Sequence, residues 1–341
     1  MNLVLLIILT ALKVTLILVV FLTAIAYTVL MERKVLGFIQ LRYGPNRVGP
    51  WGLLQPLADL LKLLFKEDFT PPGANKVLFT LAPIITAVTA FLPLAVIPFA
   101  KDILPEKITI YGQTVDLTVA NLNQGVIADI NVGLLYVFAM GSLAVYGAVL
   151  GGWASNNKYS LLGGLRLSAQ MVSYELALGL SVIGVLMLAG SLSLVKIVEA
   201  QKSMWFIVYQ PLGFVLFLVA AFAECARTPF DLIECENELV AGFQTEYSSM
   251  KWALFMLGEY CHIIVASSLI TTLFLGGWQG PFLPPIAWFV LKTFALVFFF
   301  IWVRGTFPRL RFDQLMQLGW KVLLPLALAN IVVTGAVMLM L

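Results

Sequence analysis

The chain has 341 residues, of which 61% are hydrophobic and 11% charged, with a mean hydropathy of +0.97. A soluble domain is typically about 45–50% apolar and about 25% charged, so 21 basic and 18 acidic side chains cannot clothe a chain of this length for water, which excludes an ordinary soluble enzyme. Disorder needs low hydrophobicity and high net charge, and a net charge of +3 is too small to indicate nucleic acid as a partner. The surplus apolar surface must face lipid. The expected fold class is an all-α integral membrane protein, with residues 1–341 forming a single membrane domain.

A helix crosses the hydrocarbon with roughly 20 apolar residues. Eight stretches meet that length, at about 4–30, 77–99, 127–153, 167–190, 204–223, 252–275, 284–303 and 320–340. The first lacks a basic n-region, carries Lys13 and is too long for a signal h-region, so it reads as a span and not as a cleaved signal. Basic residues in alternate loops divide 15 against 4. One side holds Arg33, Lys34, Arg42, Arg47, Lys62, Lys66, Lys76, Lys158, Arg166, Arg227, Lys251, Arg304, Arg309, Arg311 and Lys321. The other holds Lys101, Lys107, Lys196 and Lys202. The basic side is expected to be cytoplasmic, with both termini outside.

In the first inner loop, Glu32-Arg33-Lys34 follow the first span, and Gly44-Pro45-Asn46 mark a tight turn. Next comes the segment 51–66, WGLLQPLADLLKLLFK. Its polar residues Gln55, Asp59, Lys62 and Lys66 are spaced to share one face of a helix that is otherwise covered by leucine. The segment is too short to span and reads as an amphipathic interfacial helix. It can simply rest on headgroups, although Asp59 has no use against anionic lipid and hints at a polar cavity. Glu32 likewise has the plain reading of an interfacial ion pair.

The fifth inner loop, 224–251, is the acidic one, with Glu224, Arg227, Asp231, Glu234, Glu236 and Glu238 near its start. Thr228, Pro229 and Asp231 have the pattern of a helix start: a threonine cap, proline in the first turn, and an acid three residues after the cap. A helix beginning there puts Glu234 and Glu238 on the Asp231 face and turns Glu236 away. Like charges so close repel, and a low dielectric then favours a proton on some of them. Carboxylates holding fewer protons than sites are what a proton relay needs. The alternative is a solvated acidic surface.

Within the spans, Glu175 lies among Ser168, Gln170, Ser173 and Gly179. A charge at mid-bilayer costs roughly 2.5–3.5 kcal/mol on insertion scales, so such a residue usually faces a polar interior. Asp129 begins the third span, Glu259 and His262 are i, i+3 neighbours on the sixth, and Lys292 is in the seventh; for these and Lys13, quiet pairing is the competing reading. Arg166, at the inner end of the fourth span, is placed to meet the acidic loop. Cys225, Cys235 and Cys261 form no CxxC pair, so neither a disulfide framework nor an iron–sulfur site is expected. The single histidine is too few for the common haem or zinc sites.

Five runs, in order from the first span to the last, carry a family resemblance: MERKVLGFIQLRYGPNRVGPWGLLQPLADLLKLLFKE from Met31, LAVYGAVLGGWASNNKYSLLGGLR from Leu143, AQMVSYE from Ala169, AECARTPFDLIECENELVAGFQTEYSSMKWALFMLGEY from Ala223, and WVRGTFPRLRFDQLMQLGWK from Trp302. Over essentially its whole length the chain resembles the H subunits of proton-translocating NADH:quinone oxidoreductase, respiratory complex I. The resemblance implies eight transmembrane helices, no cofactor bound by this chain, and a multi-pass protein of the bacterial cytoplasmic (inner) membrane.

As partners it implies the other membrane-arm subunits, the peripheral-arm subunits of the quinone site, and the lipid bilayer. Quinone is the implied substrate, with iron–sulfur clusters, FMN and NADH belonging to partner subunits. By position, Arg33, Gln40, Asp59, Arg166 and Phe230 would line the quinone chamber together with the amphipathic helix. Glu32, Glu175, Glu224, Arg227, Asp231, Glu234, Glu236 and Glu238 would form the proton path, with Glu246 and Glu259 nearby. Two other functions compete: a stand-alone cation/proton transporter, which the intramembrane Glu175, Glu259 and Lys292 would suit, and the anchor subunit of a membrane-bound hydrogenase.

Overall fold

The computed structural model describes residues 3–101, 103, 107–110, 113–116, 124–232 and 236–340. Helix α1, Leu3–Ile39, continues well past the apolar stretch that begins it. The polar triplet Glu32-Arg33-Lys34 is therefore helical and not part of a loop. The chain leaves the helix at Gln40, and a turn brings Gly44 back against Lys34. A 3-10 turn, Pro50–Gly52, precedes α2, Gln55–Phe65. The predicted amphipathic segment is thus helical only from Gln55, where Pro56 suits the first turn, and Lys66 is already extended. Gly52 has φ +77, and a Cβ there would stand 2.2 Å from the Pro45 carbonyl oxygen, so this turn accepts glycine alone.

Helix α3, Lys76–Phe91, is capped by the Asn75 side chain, which accepts from the Val77 and Leu78 amides. Strands Lys107–Ile110 and Gln113–Asp116 form a short antiparallel hairpin with Lys107 opposite Asp116. Helices α4, Gly133–Ala154, and α5, Lys158–Ala189, follow. Short helices α6, Leu194–Ala200, and α7, Phe206–Tyr209, lead to α8, Pro211–Glu224. The four-residue α9, Glu236–Leu239, precedes α10, Ser249–Phe274, and α11, Pro285–Thr306. Helix α12, Phe312–Gln317, runs through a π turn, Leu318–Leu323, into α13, Leu324–Met340.

Among the described residues, seven helices are long and apolar enough to cross a membrane: Ile7–Ile39, Lys76–Ala95, Gly133–Ala154, Lys158–Ala189, Ser249–Phe274, Pro285–Thr306 and Phe312–Met340. The expected fifth span, 204–223, is built differently. It breaks at Gln210, where Pro211 brings no amide hydrogen, and α8 has 14 residues. At about 1.5 Å per residue this gives roughly 21 Å, short of the roughly 30 Å hydrocarbon core. Gln210 is buried at the break and fastened on both sides of its amide: Nε2 donates to Thr334 Oγ1 at 2.7 Å, and Asn330 Nδ2 donates to Oε1 at 3.0 Å.

Helix α10 is the centre of the bundle, with 67% of its apolar window buried, against 22% for α1 and for α12–α13 at the periphery. It packs on α3, α11 and α1. Helices α3 and α4 approach closely because α4 presents Gly147, where a Cβ would lie 2.0 Å from Thr86 Oγ1. One apolar cluster joins α5, α8, α10 and α11 through Tyr174, Phe217, Ile270 and Phe300. A smaller one, around Phe79, Phe243, Tyr247 and Phe255, lies under the loop between α9 and α10.

Candidate functional site: a buried charge chain and its cavity

Four elements meet at the arginine-rich ends of the helices. Glu32 of α1 is buried, and its carboxylate is paired with Arg304 from the last turn of α11. Its Oε1 also lies 3.5 Å from Nη1 of Arg227, which the turn after α8 carries. Nε of Arg227 is 3.0 Å from Oε1 of Glu259 on α10, and its guanidinium stacks 4.6 Å from the centre of the Tyr260 ring. The result is an alternating chain, Arg304, Glu32, Arg227, Glu259. Alternation is what the low dielectric requires, because an isolated buried ion costs far more than a paired one.

Glu259 also faces a cavity of about 70 Å³, whose other titratable walls are Glu224, Cys225, Asp231 and His262. Apolar side chains of α4 and α5, among them Ala144, Leu167 and Met171, complete it. Asp231 is buried and held by Arg309 at 3.0 Å. The Glu224 carboxyl rests against Gly141 of α4, where a Cβ would lie 3.1 Å from Oε1. The next residue of α4, Ser142, donates a hydrogen bond to Glu175 of α5. Glu224 and Glu175 therefore flank one short stretch of α4 and are near enough to repel each other. At roughly 10–15 Å³ of such volume per water, the cavity has room for a few waters. It is too small for a drug-sized ring, which needs about 300 Å³ or more. Cys225 beside it is buried, and that burial, reinforced by the Glu224 carboxyl, pushes its thiol well above the ordinary range.

A second polar patch lies on the surface at the end of α1. Arg33 Nη1 is 2.6 Å from Asp59 Oδ2 of α2, and Gln55 Nε2 donates to the other oxygen of Asp59 at 2.8 Å. Arg42 Nε donates to Gln40 Oε1 at 2.7 Å. Beside them is an open pocket of about 400 Å³ lined by Arg33, Leu36, Arg42, Tyr43, Gly44 and Pro45. Leucines of α2, including Leu57, Leu60 and Leu64, are exposed on the helix face opposite Asp59.

The NADH dehydrogenase family matches residues 12–335. An NADH-quinone oxidoreductase H subunit of Geobacter metallireducens, the first of two so named in that organism, is 59% identical over 328 residues, covering 96% of this chain and 96% of the relative. The second H subunit of Geobacter sulfurreducens is 59% identical over 327 residues, covering 96% and 95%. The H subunit of Bacillus mycoides is 54% identical over 318 residues, covering 92% and 89%. The chain belongs to the family of NADH-quinone oxidoreductase H subunits. It is accordingly a multi-pass membrane protein of a respiratory complex I family.

The residues that the family resemblance singles out fall into separate groups. Glu32, Arg227, Glu224, Asp231 and Glu175 make up the buried chain and the surroundings of the cavity. Arg33, Gln40 and Asp59 share the surface patch. Arg166 is paired with Glu238 and stacks over Phe312 at 5.7 Å, away from that patch. Phe230 is buried in the core, 5.7 Å from the Tyr174 ring, while Gln170 Nε2 donates to its carbonyl oxygen. Glu246 accepts from Asn157 at 2.6 Å.

The helix expected from Thr228 does not form. Residues 227–232 are a turn in which the Phe230 amide donates to the Arg227 carbonyl and the Leu310 amide to the Pro229 carbonyl. Asp231 is drawn to Arg309 instead of joining the first turn of a helix, and the described residues of α9 are Glu236–Leu239. Asp231 and Glu238 therefore do not share a helical face. Glu234 lies outside the described residues, and Glu236 is the first described residue of α9.

Sequence reasoning gives no place at the site to Arg304, Arg309 or Ser142, and leaves His262 as a quietly paired neighbour of Glu259. The two arginines read from the sequence only as orientation signals. The recurrent arginine of the run WVRGTFPRLRF is the trace that could mark them as counter-ions. Among the described residues, no three His, Cys, Asp or Glu side chains are grouped to hold a metal ion.

Proposed function

We propose that this chain is the membrane subunit of a proton-pumping NADH:quinone oxidoreductase that connects quinone chemistry on its inner face to a buried carboxylate path. The observation that carries the reading is the small cavity bordered by Glu224, Asp231 and Glu259, because it lies between the charge chain at the inner face and Glu175 within the bundle. Its size suits water and protons and not a quinone. The surface patch of Arg33, Gln40 and Asp59 is the part of this chain that would guide the quinone ring. Its pocket has the volume a ring needs, and the exposed leucines on the far face of α2 offer apolar surface to a tail.

Reduction of a quinone consumes two electrons and two protons. The electrons would come from an iron–sulfur centre of a partner, with FMN and NADH further upstream. Charge that develops on the quinone, or its movement, would alter the proton affinities of Asp231, Glu259 and Glu224 in turn, since these groups share one low-dielectric volume. Glu234, Glu236 and Glu238 would supply the path from the inner surface. In this reading both termini lie outside a bacterial cytoplasmic membrane, and the basic loops dock the peripheral-arm subunits.

The test is Glu224→Gln in the assembled complex. NADH oxidation by an artificial acceptor is expected to persist, while quinone reduction and proton pumping fall by about a hundredfold, the scale of a lost acid–base group. Pumping at wild-type rate would remove Glu224 from the path. A reporter fused after Leu341 that proves cytoplasmic overturns the orientation. Purification of the chain alone with ion transport in liposomes would favour the transporter reading, and co-purification with a nickel hydrogenase the anchor reading.

A further inference from the structure

One wall of the cavity is not a carboxylate. His262 of α10 lines it, one helical turn from Glu259 and on the same face. Its Nε2 is buried and has no hydrogen-bond partner among the described residues. A buried polar nitrogen without a partner is costly, so native proteins satisfy such groups, with ordered water where protein atoms do not reach. The space beside this ring is the cavity, which has both the volume and the polar walls to hold water. The charged groups that face it come from separate elements: Glu224 from the end of α8, Asp231 from the turn after it, and Glu259 from α10. Arg227 stands behind Glu259 and Arg309 behind Asp231.

We infer that His262 is a relay residue of this cavity, passing protons through bound water between the Asp231 and Glu259 side and Glu224. The inference rests on the carboxylate-path reading. Imidazole is suited to the task because a neutral ring has a nitrogen that can accept a proton and, once protonated, donate it again. A proton taken up at Nε2 from water on one side is returned to water on the other, so the ring is unchanged after each transfer and no redox partner is involved. A carboxylate in its place would add a fourth like charge to the cavity. A neutral amide would anchor the water without carrying the proton.

The experiment uses the assembled complex in proteoliposomes, with His262→Asn, His262→Ala and, in parallel, Glu224→Gln. Electron transfer from NADH to an artificial acceptor reports assembly. His262→Asn is expected to assemble, to slow quinone reduction and pumping by about a hundredfold, the low end for a lost acid–base group, and to enlarge the solvent deuterium isotope effect as proton transfer becomes limiting. In His262→Ala, added imidazole is expected to restore turnover, and pyrrole, which fills the same space without a basic nitrogen, is not.

Wild-type rates in His262→Asn overturn the inference. So does equal rescue by imidazole and pyrrole, which would make the ring a packing group, or no rescue by either. If His262→Ala does not assemble, the rate and isotope effect of His262→Asn decide. If Glu224→Gln pumps normally, the carboxylate path itself fails, which separates that outcome from a failure at His262 alone.

Discussion

Replacing Arg227 by Met isolates what the buried charge chain contributes. Arg227 is 4% exposed, and it stands 3.0 Å from Glu259 and 3.5 Å from Glu32. At an effective dielectric of about 20, unit charges at those separations attract by roughly 5.5 and roughly 4.7 kcal/mol. Desolvation takes back several kcal/mol for each ion, and the stack on Tyr260 returns about 0.5–2 kcal/mol. Removing one member of such a network typically costs about 3–5 kcal/mol. Glu32 keeps Arg304, so the low end, about 3 kcal/mol, is expected here.

The double variant Arg227→Met with Glu259→Gln removes the opposing charge too and should recover about 1–3 kcal/mol, the coupling of two contacting residues. The assay is the thermal midpoint of the assembled complex in detergent, read for both single variants and the double. The single arginine variant should melt lowest, and the double should recover part of the difference. An arginine variant that melts with the wild type, or a double variant that loses the sum of its parts, would show that the chain is not a coupled unit and refute the reasoning.

Three further outcomes follow from other parts of the bundle. Lys292 of α11 donates to the carbonyls of Leu275, Gly277 and Gln279 at 2.6, 3.1 and 2.7 Å and stands over the Trp205 ring, so Lys292→Met should cost about 2–4 kcal/mol in the same melting assay, and an unchanged midpoint would contradict this. Gly52→Ala forces a side chain into a left-handed turn against the Pro45 carbonyl, so protease cleavage at Arg42 and Arg47 should increase in membranes, whereas an unchanged pattern would mean the turn tolerates the methyl group. Burial holds the Cys225 thiol protonated, so iodoacetamide labelling of that site, read by peptide mapping, should stay slow between pH 7.5 and pH 9, where an exposed thiol would gain about eightfold.

The surface pair of Arg33 and Asp59 contrasts with the Arg227 chain. Both side chains reach solvent, and such a pair contributes about 0–1 kcal/mol to stability. Its value lies in the geometry it gives the patch. Asp59 is legible from the sequence because an acid on the polar face of an otherwise leucine-covered helix has no use against anionic lipid, and Arg33 comes with the family resemblance. Their direct contact is not legible, since they are 26 residues apart and meet only because α1 continues as helix beyond the apolar stretch. Arg166 and Glu238, 72 residues apart, can be anticipated as neighbours because the distribution of basic residues puts the start of one span and the acidic loop on the same side.

What the sequence determined by itself was the class of molecule. The scarcity of charge, the spacing of apolar stretches and the bias of basic residues follow from local composition, and lipid imposes those requirements on each segment separately. The family was legible for the same reason, as long runs in order. The tertiary structure alone decided which charges neutralise which. Arg304 and Glu32 are 272 residues apart, and no periodicity connects them. It also decided that Asp231 turns to Arg309 and so starts no helix, that the expected fifth span is broken at Gln210, and that His262 opens onto the acidic cavity while Phe230 is sealed in the core. These are outcomes of desolvation. A charge removed from water must find its partner wherever the packing of the bundle brings one, and that partner is set by the meeting of helices and not by the order of residues along the chain.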